Sequence, residues 1–513
     1  ARRRRRGIVA AVGGVTMFVV LPTSVLQVIL YRQNLAMARE RFPVGPTLTS
    51  RDRLLILAPH CDDETLGAGG TIAAARAVGA AVRVAFLTNG DGSRSTRIVE
   101  DARRPADFLL RRNTFQRLAL MRQQEALAAL YELGVPATDV LFLGYPDGGT
   151  QTMWESNWQP DNLYYSAYTS ADHSPYANSR TLRAAYCGSQ VLTDVKSLIA
   201  EWQPTVIFTT HPSDTHPDHW AAYAYSAAAL ESLRLEPRTE EWARRVRLLT
   251  FLVHHGVWPV PHGYHPQASL SPPAALKDIG THWMQVPVHK PARVAKRAAL
   301  ERYVSQLSFT PHYLRSFLRR NELFGVVPAV EGGRACPERS EGMKDESGIQ
   351  IHPSSPIPHP SSLTLIQDPT RDSLLHDVWP AADWKSVSLA APSTSGMLAL
   401  RIRLGKAPSR RLHYELALHA ITGSTTRAER IQVRWRDSSW GAVLDETARE
   451  LPLSLTNDGF EVTLPRQDLE LPASPYALLV SGSTYLGNSR LDQTATGTLR
   501  RSESTKVMSA AKW

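Results

Sequence analysis

The chain is expected to fold as an α/β domain built on a Rossmann-like, mostly parallel sheet with helices on both faces, followed by an all-β sandwich. Three observations predict this. Short apolar runs closed by turn residues alternate with helical patterns up to about residue 310, the signature of βαβ units. Those runs are apolar throughout rather than alternating, as strands covered on both faces must be. Beyond about residue 362 the helical patterns stop, and short alternating runs follow one another at near-regular spacing, which suggests a sandwich.

The elements are justified in order. Residues 1–41 begin with Arg2–Arg6 and continue into an uncharged run from Ile8 to Tyr31, long enough to span a bilayer. This segment is expected to be a single-pass membrane anchor. Five arginines precede the run and three follow it (Arg32, Arg39, Arg41), which puts the N-terminus in the cytoplasm and the catalytic part outside. The rival expectation is a signal peptide cleaved near Ala36–Ala38 and a secreted product. Strands are expected at "RLLILAP" (53–59), "AVRVAFLTNG" (81–90), "DVLFLGYPD" (139–147), "TVIFTTHP" (205–212) and "LLTFLVHHGVWP" (248–259). Helices are expected at 71–80, 118–134, 189–202 and 290–307. Together these make a catalytic domain over 42–325. Residues 326–362, rich in Pro, Ser, Gly and charge, read as a linker. The sandwich then occupies 363–495 and a tail 496–513.

Charge narrows the partners. The formal net charge is +10, but residues 1–41 alone hold eight arginines and one glutamate, leaving about +3 for everything else. The basicity belongs to the N-terminus, so no nucleic-acid partner is expected. Cys61, Cys187 and Cys336 show no paired spacing, which argues against a disulfide framework.

The chemistry sits where two expected strands end. "LLILAPHCDDETLGAGG" places His60, Asp62, Asp63 and Glu64 at the carboxyl end of the first strand. "HPSDTHPDHW" places His211, Asp214, His216, Asp218 and His219 at the carboxyl end of the fourth. In an open parallel sheet that rim is where ligands bind. Histidine with carboxylate, and no paired cysteines, suits a catalytic zinc with three protein ligands and one open position. Adjacent Asp62 and Asp63 can supply one ligand and one general base, because neighbouring side chains diverge.

"PHCDDE" with "HPDH" resembles the LmbE-like, or PIG-L, N-acetylglucosaminyl deacetylases, whose first motif is usually (P/A)HPDDE. "FLTNGDGS" (86–93), "RQQEALAALYELGV" (122–135), "FLGYPDG" (142–148) and "KRAALERYVSQ" (296–306) follow in the order such proteins show. The resemblance covers roughly residues 50–310. It implies zinc held by His60, Asp63 and His219, with Asp62 as general base and His216 stabilising the oxyanion. Asp218 would orient a histidine from behind. Arg122 and Glu125, one helical turn apart, face the site or else form a helix-surface pair, and Asp147 contacts a sugar hydroxyl or else serves a turn. Cys61 stands where the family has proline, read here as a small buried replacement. The implied substrate is an N-acetylated amino sugar, deacetylated with release of acetate. The alternatives are another metal-dependent amide or ester hydrolase on the same scaffold, or a silent glycan-binding protein. The sandwich carries no catalytic cluster and is expected to contact a glycan or a surface.

Overall fold

A computed structural model describes residues 21–93, 114–331, 362–369, 379–390, 396–445, 447–472 and 474–501. The chain divides into two compact units, Ala1–Pro328 with Pro369–Asp377, and Ala329–Asp368 with Val378–Trp513. Most of the expected linker 326–362 lies outside the described residues.

The first unit is built on a seven-stranded sheet. Its strands are β1 (Arg53–Ala58), β2 (Ala81–Thr88), β3 (Val140–Tyr145), β4 (Val206–Thr210), β5 (Arg247–Phe251), β6 (His282–Pro287) and β7 (Asn321–Val326). Their order is β3-β2-β1-β4-β5-β7-β6. The pairs from β3 through β5 are parallel, whereas β7 runs antiparallel to both β5 and β6. Leu54 of β1 lies beside Val82 on one side and Val206 on the other, and Leu54–Ala58 are fully buried. That two-sided burial is why β1 reads as a continuous apolar run.

Helices cover both faces: α1 (Leu21–Met37), α2 (Asp63–Ala77), α3 (Thr114–Glu132), α4 (Gly188–Trp202), α5 (Pro217–Leu235) and α6 (Lys290–Leu300). On α4, Val191, Val195, Leu198 and Ile199 recur at helical spacing and are all buried. The helix stops at Gln203, whose φ of 47° ends it in the left-handed region.

Three expectations need correction here. The proposed membrane anchor is overturned: no helix among the described residues is long and apolar enough to cross a membrane. Its run from Ile8 extends outside the described residues, and the described part continues as α1 into a polar stretch that docks on the unit. Asn34 is buried and its Oδ1 accepts the Ala274 N–H at 2.8 Å, Tyr31 meets His262 edge-on at 5.6 Å, and Glu40 pairs with Lys277 at 2.8 Å. The expected strand 248–259 ends at Phe251, because the Val253 and His254 N–H groups turn to the Asp214 carboxylate instead of a neighbouring strand. The expected helix 290–307 breaks after Leu300 into a turn and a short Val304–Leu307 helix.

The second unit holds two sheets. Five strands run in the order Leu453–Thr456, Gly459–Pro465, Met397–Leu404, Trp384–Ala390, Ser362–Gln367, all antiparallel. An eight-stranded sheet centres on His413–Thr422, paired with Thr425–Arg436 and Tyr476–Leu486. Gly497–Arg501, within the expected tail, is instead a strand on Tyr476–Val480. Its core includes Trp384, fully buried, with its indole N–H on Thr484 Oγ1 at 2.7 Å.

Candidate active site

The chain leaves β1 for β2 and β3 on one side, then returns to place β4 and β5 on the other. The β1 and β4 ends therefore flank the point where strand order reverses, and a crevice opens between their loops. The β1 loop carries His60–Asp63 and the β4 loop carries His211–His219. The two motifs, some 150 residues apart in sequence, meet for this topological reason.

Three donor atoms form a near-equilateral triangle. His60 Nδ1 lies 3.1 Å from Asp63 Oδ2 and 3.1 Å from His219 Nε2, and His219 Nε2 lies 3.1 Å from Asp63 Oδ2. A tetrahedral zinc with bonds near 2.0–2.2 Å places its ligand atoms about 3.4 Å apart, so the triangle fits one face of such a site with little adjustment. The remote nitrogen of each imidazole meets a carboxylate, the usual backing of a metal-binding histidine. His60 Nε2 is 3.1 Å from Asp218 Oδ2 and 3.3 Å from Asp147 Oδ1. His219 Nδ1 is 3.2 Å from Asp214 Oδ2, an ion-pair separation lying off hydrogen-bond alignment. Asp218 is itself fixed by the Gly148 N–H at 2.6 Å, the Thr150 N–H at 3.1 Å and the Thr150 hydroxyl at 2.5 Å.

The electrostatics favour a cation. Burial lowers both imidazoles, yet the surrounding carboxylates win. Asp147, Asp218 and Asp63 hold His60 well above its ordinary value, and Asp214 with Asp63 lift His219 to about 9. The same positive charge that protons satisfy is what a divalent ion supplies, leaving the imidazoles neutral to ligate it. Asp63 is held well below the usual carboxylate range, burial being outweighed by His219 and His60.

Asp62 and His216 flank the triangle. Burial, reinforced by the adjacent Asp63 carboxylate, pushes Asp62 up to about 8. Its Oδ1 lies 3.6 Å from Arg122 Nη2, a guanidinium that also donates to the Cys61 carbonyl at 2.9 Å and the Gly90 carbonyl at 3.2 Å. Gly90 has φ of 69°, and a Cβ there would lie 1.9 Å from Arg122 Nη1, so only glycine admits the guanidinium. His216 caps α5 and its Nδ1 accepts the Asp218 N–H at 3.2 Å, which assigns its proton to Nε2. Burial, with His60 and His219 nearby, pushes it down to about 4, so the ring is neutral at pH 7. Its centroid is 4.6 Å from that of His60.

The remaining sequence candidates fall as follows. Glu125 is turned to Ser305, accepting its N–H at 2.8 Å and its hydroxyl at 2.6 Å. Asp147 reaches His60 and accepts the Gly92 N–H at 3.0 Å. Cys61 is fully buried, and burial pushes its thiol up. Trp154 and Trp158 are buried and pack edge-on at 5.5 Å, with Tyr225 5.0 Å from Trp154, so these indoles belong to the core. Sequence reasoning gave no role to Asp214, whose Oδ2 also accepts the Val253 and His254 N–H groups at 2.9 Å each. His254 with Asp63 and His219 makes one of three sets of possible ligand atoms within 4.8 Å among the described residues, and the other two join His216 to His60, with His219 or with Asp147 and Asp218. The acid in "HPSDTHPDH" lying between two candidate histidines was the available signal.

Comparison with known proteins finds one family model and several relatives. The model for the PIG-L family, described as GlcNAc-PI de-N-acetylase, matches residues 55–230. Those residues carry a PIG-L family domain match. A 1D-myo-inositol 2-acetamido-2-deoxy-alpha-D-glucopyranoside deacetylase of Mycobacterium sp. (strain JLS) is 28% identical over 308 residues, 54% of this chain and 82% of that protein. The protein of the same description from Tsukamurella paurometabola is 30% identical over 194 residues, 37% of this chain and 59% of its own length. Among solved structures, the zinc-inhibited form of teicoplanin deacetylase Orf2 shares 20% identity, with a TM-score of 0.33, over 53% of this chain and 97% of that one. The PIG-L match takes in both motif loops but ends before β5, β6, β7 and α6.

Proposed function

We propose that the first unit is a zinc-dependent de-N-acetylase that hydrolyses the N-acetyl group of an N-acetylated amino sugar. The observation that carries this reading is the triangle of donors from His60, Asp63 and His219, flanked by one carboxylate and one neutral imidazole that are not part of it. The descriptions of the mycobacterial and Tsukamurella relatives, and of the PIG-L model itself, supply the substrate class. His60 Nδ1, Asp63 Oδ2 and His219 Nε2 would hold the metal. Bound there, zinc acidifies a water and polarises the acetyl carbonyl.

The chain's own residues perform the proton work. Asp62 takes a proton from the attacking water as the new C–O bond forms at the acetyl carbon. The oxyanion that develops receives the His216 Nε2–H, a donor already set in the right tautomer by the α5 cap. When the C–N bond breaks, Asp62 returns its proton to the nitrogen, and acetate and a free amine leave. Arg122 opposes the burial and the Asp63 charge that favour protonated Asp62, and the charge of a bound divalent ion would add to that effect and leave Asp62 ionised to act as the base. Asp218 and Asp214 fix the ring orientation of His60 and His219. Asp147, beside His60, would meet a sugar hydroxyl.

The test combines metal content with acetate release from N-acetylglucosamine glycosides for the wild type, His219→Ala and Asp62→Asn. About one zinc per chain, lost with activity in His219→Ala, and a fall of roughly 100-fold or more with metal retained in Asp62→Asn, is expected. Zinc without acetate release would shift the reading to another amide or ester. A wild-type chain that takes up no metal would refute it.

A further inference from the structure

Asp62 has φ of 140° and ψ of −26°, a region that residues with a Cβ rarely occupy and that persists only where surroundings enforce it. The group proposed above to move the proton is thus the one with the most constrained backbone in its loop. What enforces it can be traced atom by atom. The Asp62 carbonyl accepts the Thr65 and Leu66 N–H groups at 3.0 and 2.9 Å, anchoring it to the start of α2. The Asp62 N–H points the other way and donates to Glu64 Oε2 at 3.2 Å. Glu64 is fully buried, and its second oxygen accepts the Thr65 hydroxyl and the Tyr303 hydroxyl, each at 2.5 Å. Tyr303 is also fully buried and arrives from the turn after α6, more than 230 residues along the chain and outside the PIG-L match.

Two residues past Tyr303, Ser305 bonds Glu125 on α3. That helix also carries Arg122, whose guanidinium holds the Cys61 carbonyl, the other end of the same peptide group. The Cys61–Asp62 peptide is therefore gripped at its oxygen by Arg122 and at its nitrogen by Glu64. A rotation of that peptide, which would relieve the φ, needs both grips to release.

We infer that Tyr303, acting through Glu64, is a positioning residue that holds the Asp62 backbone in its strained conformation and so aims the Asp62 carboxylate at the attacking water. Neither Tyr303 nor Glu64 touches substrate. Without the Tyr303 hydroxyl, the Glu64 oxygen it holds keeps only the Thr65 hydroxyl, and the carboxylate is free to turn, releasing the Asp62 N–H from its other oxygen. This inference rests on Asp62 being the base.

The test is a double-mutant cycle on the metal-loaded full chain, with kcat, KM and metal content measured for Tyr303→Phe, Asp62→Asn and the double variant. Tyr303→Phe should lower kcat about tenfold, leaving KM and metal content unchanged. In the Asp62→Asn background the same change should cost nothing further, because the group it aims is gone. Glu64→Gln, with one acceptor oxygen for three donors, should reproduce the kcat loss and serves in place of Tyr303→Phe should that variant not fold. An unchanged kcat in Tyr303→Phe, or an equal loss with and without Asp62, would overturn the inference while leaving the base assignment standing. Full activity in Asp62→Asn would overturn the base assignment itself, and the inference with it.

Discussion

The Lys296–Glu322 pair offers a quantitative test of how the first unit supports its active-site helix. The two side chains are 3% and 1% exposed and their charges meet at 2.6 Å. In an uninterrupted helix the Gly70 N–H would bond the Leu66 carbonyl. Here Lys296 Nζ reaches that carbonyl at 2.8 Å, and Glu322 accepts the Gly70 and Thr71 N–H groups at 2.7 Å each and the Thr71 hydroxyl at 2.6 Å. The ion pair is inserted alongside the backbone ladder of α2, one turn beyond Asp63. Lys296→Met removes one partner of a buried pair, a change that typically costs about 3–5 kcal/mol. Three donors still hold the Glu322 carboxylate, so the lower end, about 3 kcal/mol, is expected. A small domain's net stability is about 5–15 kcal/mol, and this loss corresponds to a drop in melting temperature on the order of 10 °C. Denaturant unfolding followed by tryptophan fluorescence would measure it. The double variant Lys296→Met/Glu322→Gln should recover part of the loss, since the unpaired charge is gone. A loss below about 1 kcal/mol for the single variant, or a double variant no more stable than the single, would refute the reasoning.

Three further outcomes are expected. Gly67→Ala should destabilise the unit by about 1–3 kcal/mol in denaturant melts, because a Cβ there would lie 2.1 Å from the Phe251 ring. Asp214→Ala should weaken metal binding roughly 10-fold to 100-fold in a competitive chelator titration, since it removes the carboxylate behind His219. Burial pushes His211 down to about 3, so between that value and the ordinary 6.5 the unfolded chain binds the extra proton. Stability is therefore full above pH 6.5 and falls as pH drops through the window. A His211→Gln variant should show a shallower loss between pH 7 and 5, and an unchanged slope would count against the assignment.

Much of this was legible in the sequence because the decisive signals are local. An apolar run followed at once by "HCDDE" announces a strand delivering ligands to a sheet edge, and "HPSDTHPDH" repeats the pattern after β4. Two such loops on adjacent strands need only the parallel order to converge. What escaped was non-local. Arg122 and Glu125 are one turn apart on α3, yet one grips the Cys61 carbonyl and the other Ser305, partners 61 and 180 positions away. Nothing in their spacing distinguishes those destinations from a surface pair. The N-terminal apolar run was misread because hydropathy measures composition alone. The contacts of Tyr31 and Asn34 with the folded unit do not appear in it.

The Asp214 carboxylate gives the β5 loop an unusual constraint. One of its oxygens faces His219 and simultaneously receives two consecutive backbone N–H groups, from Val253 and His254, while the His211 N–H is tied back to the Phe251 carbonyl. Those backbone contacts are indifferent to which side chains the loop carries but not to how many residues it has. Leu252 and Val253 should thus tolerate substitution far better than a one-residue insertion or deletion, which would shift both N–H groups off the carboxylate and let the His219 ring turn. Besides the His254 imidazole, what this loop contributes to the site is its length.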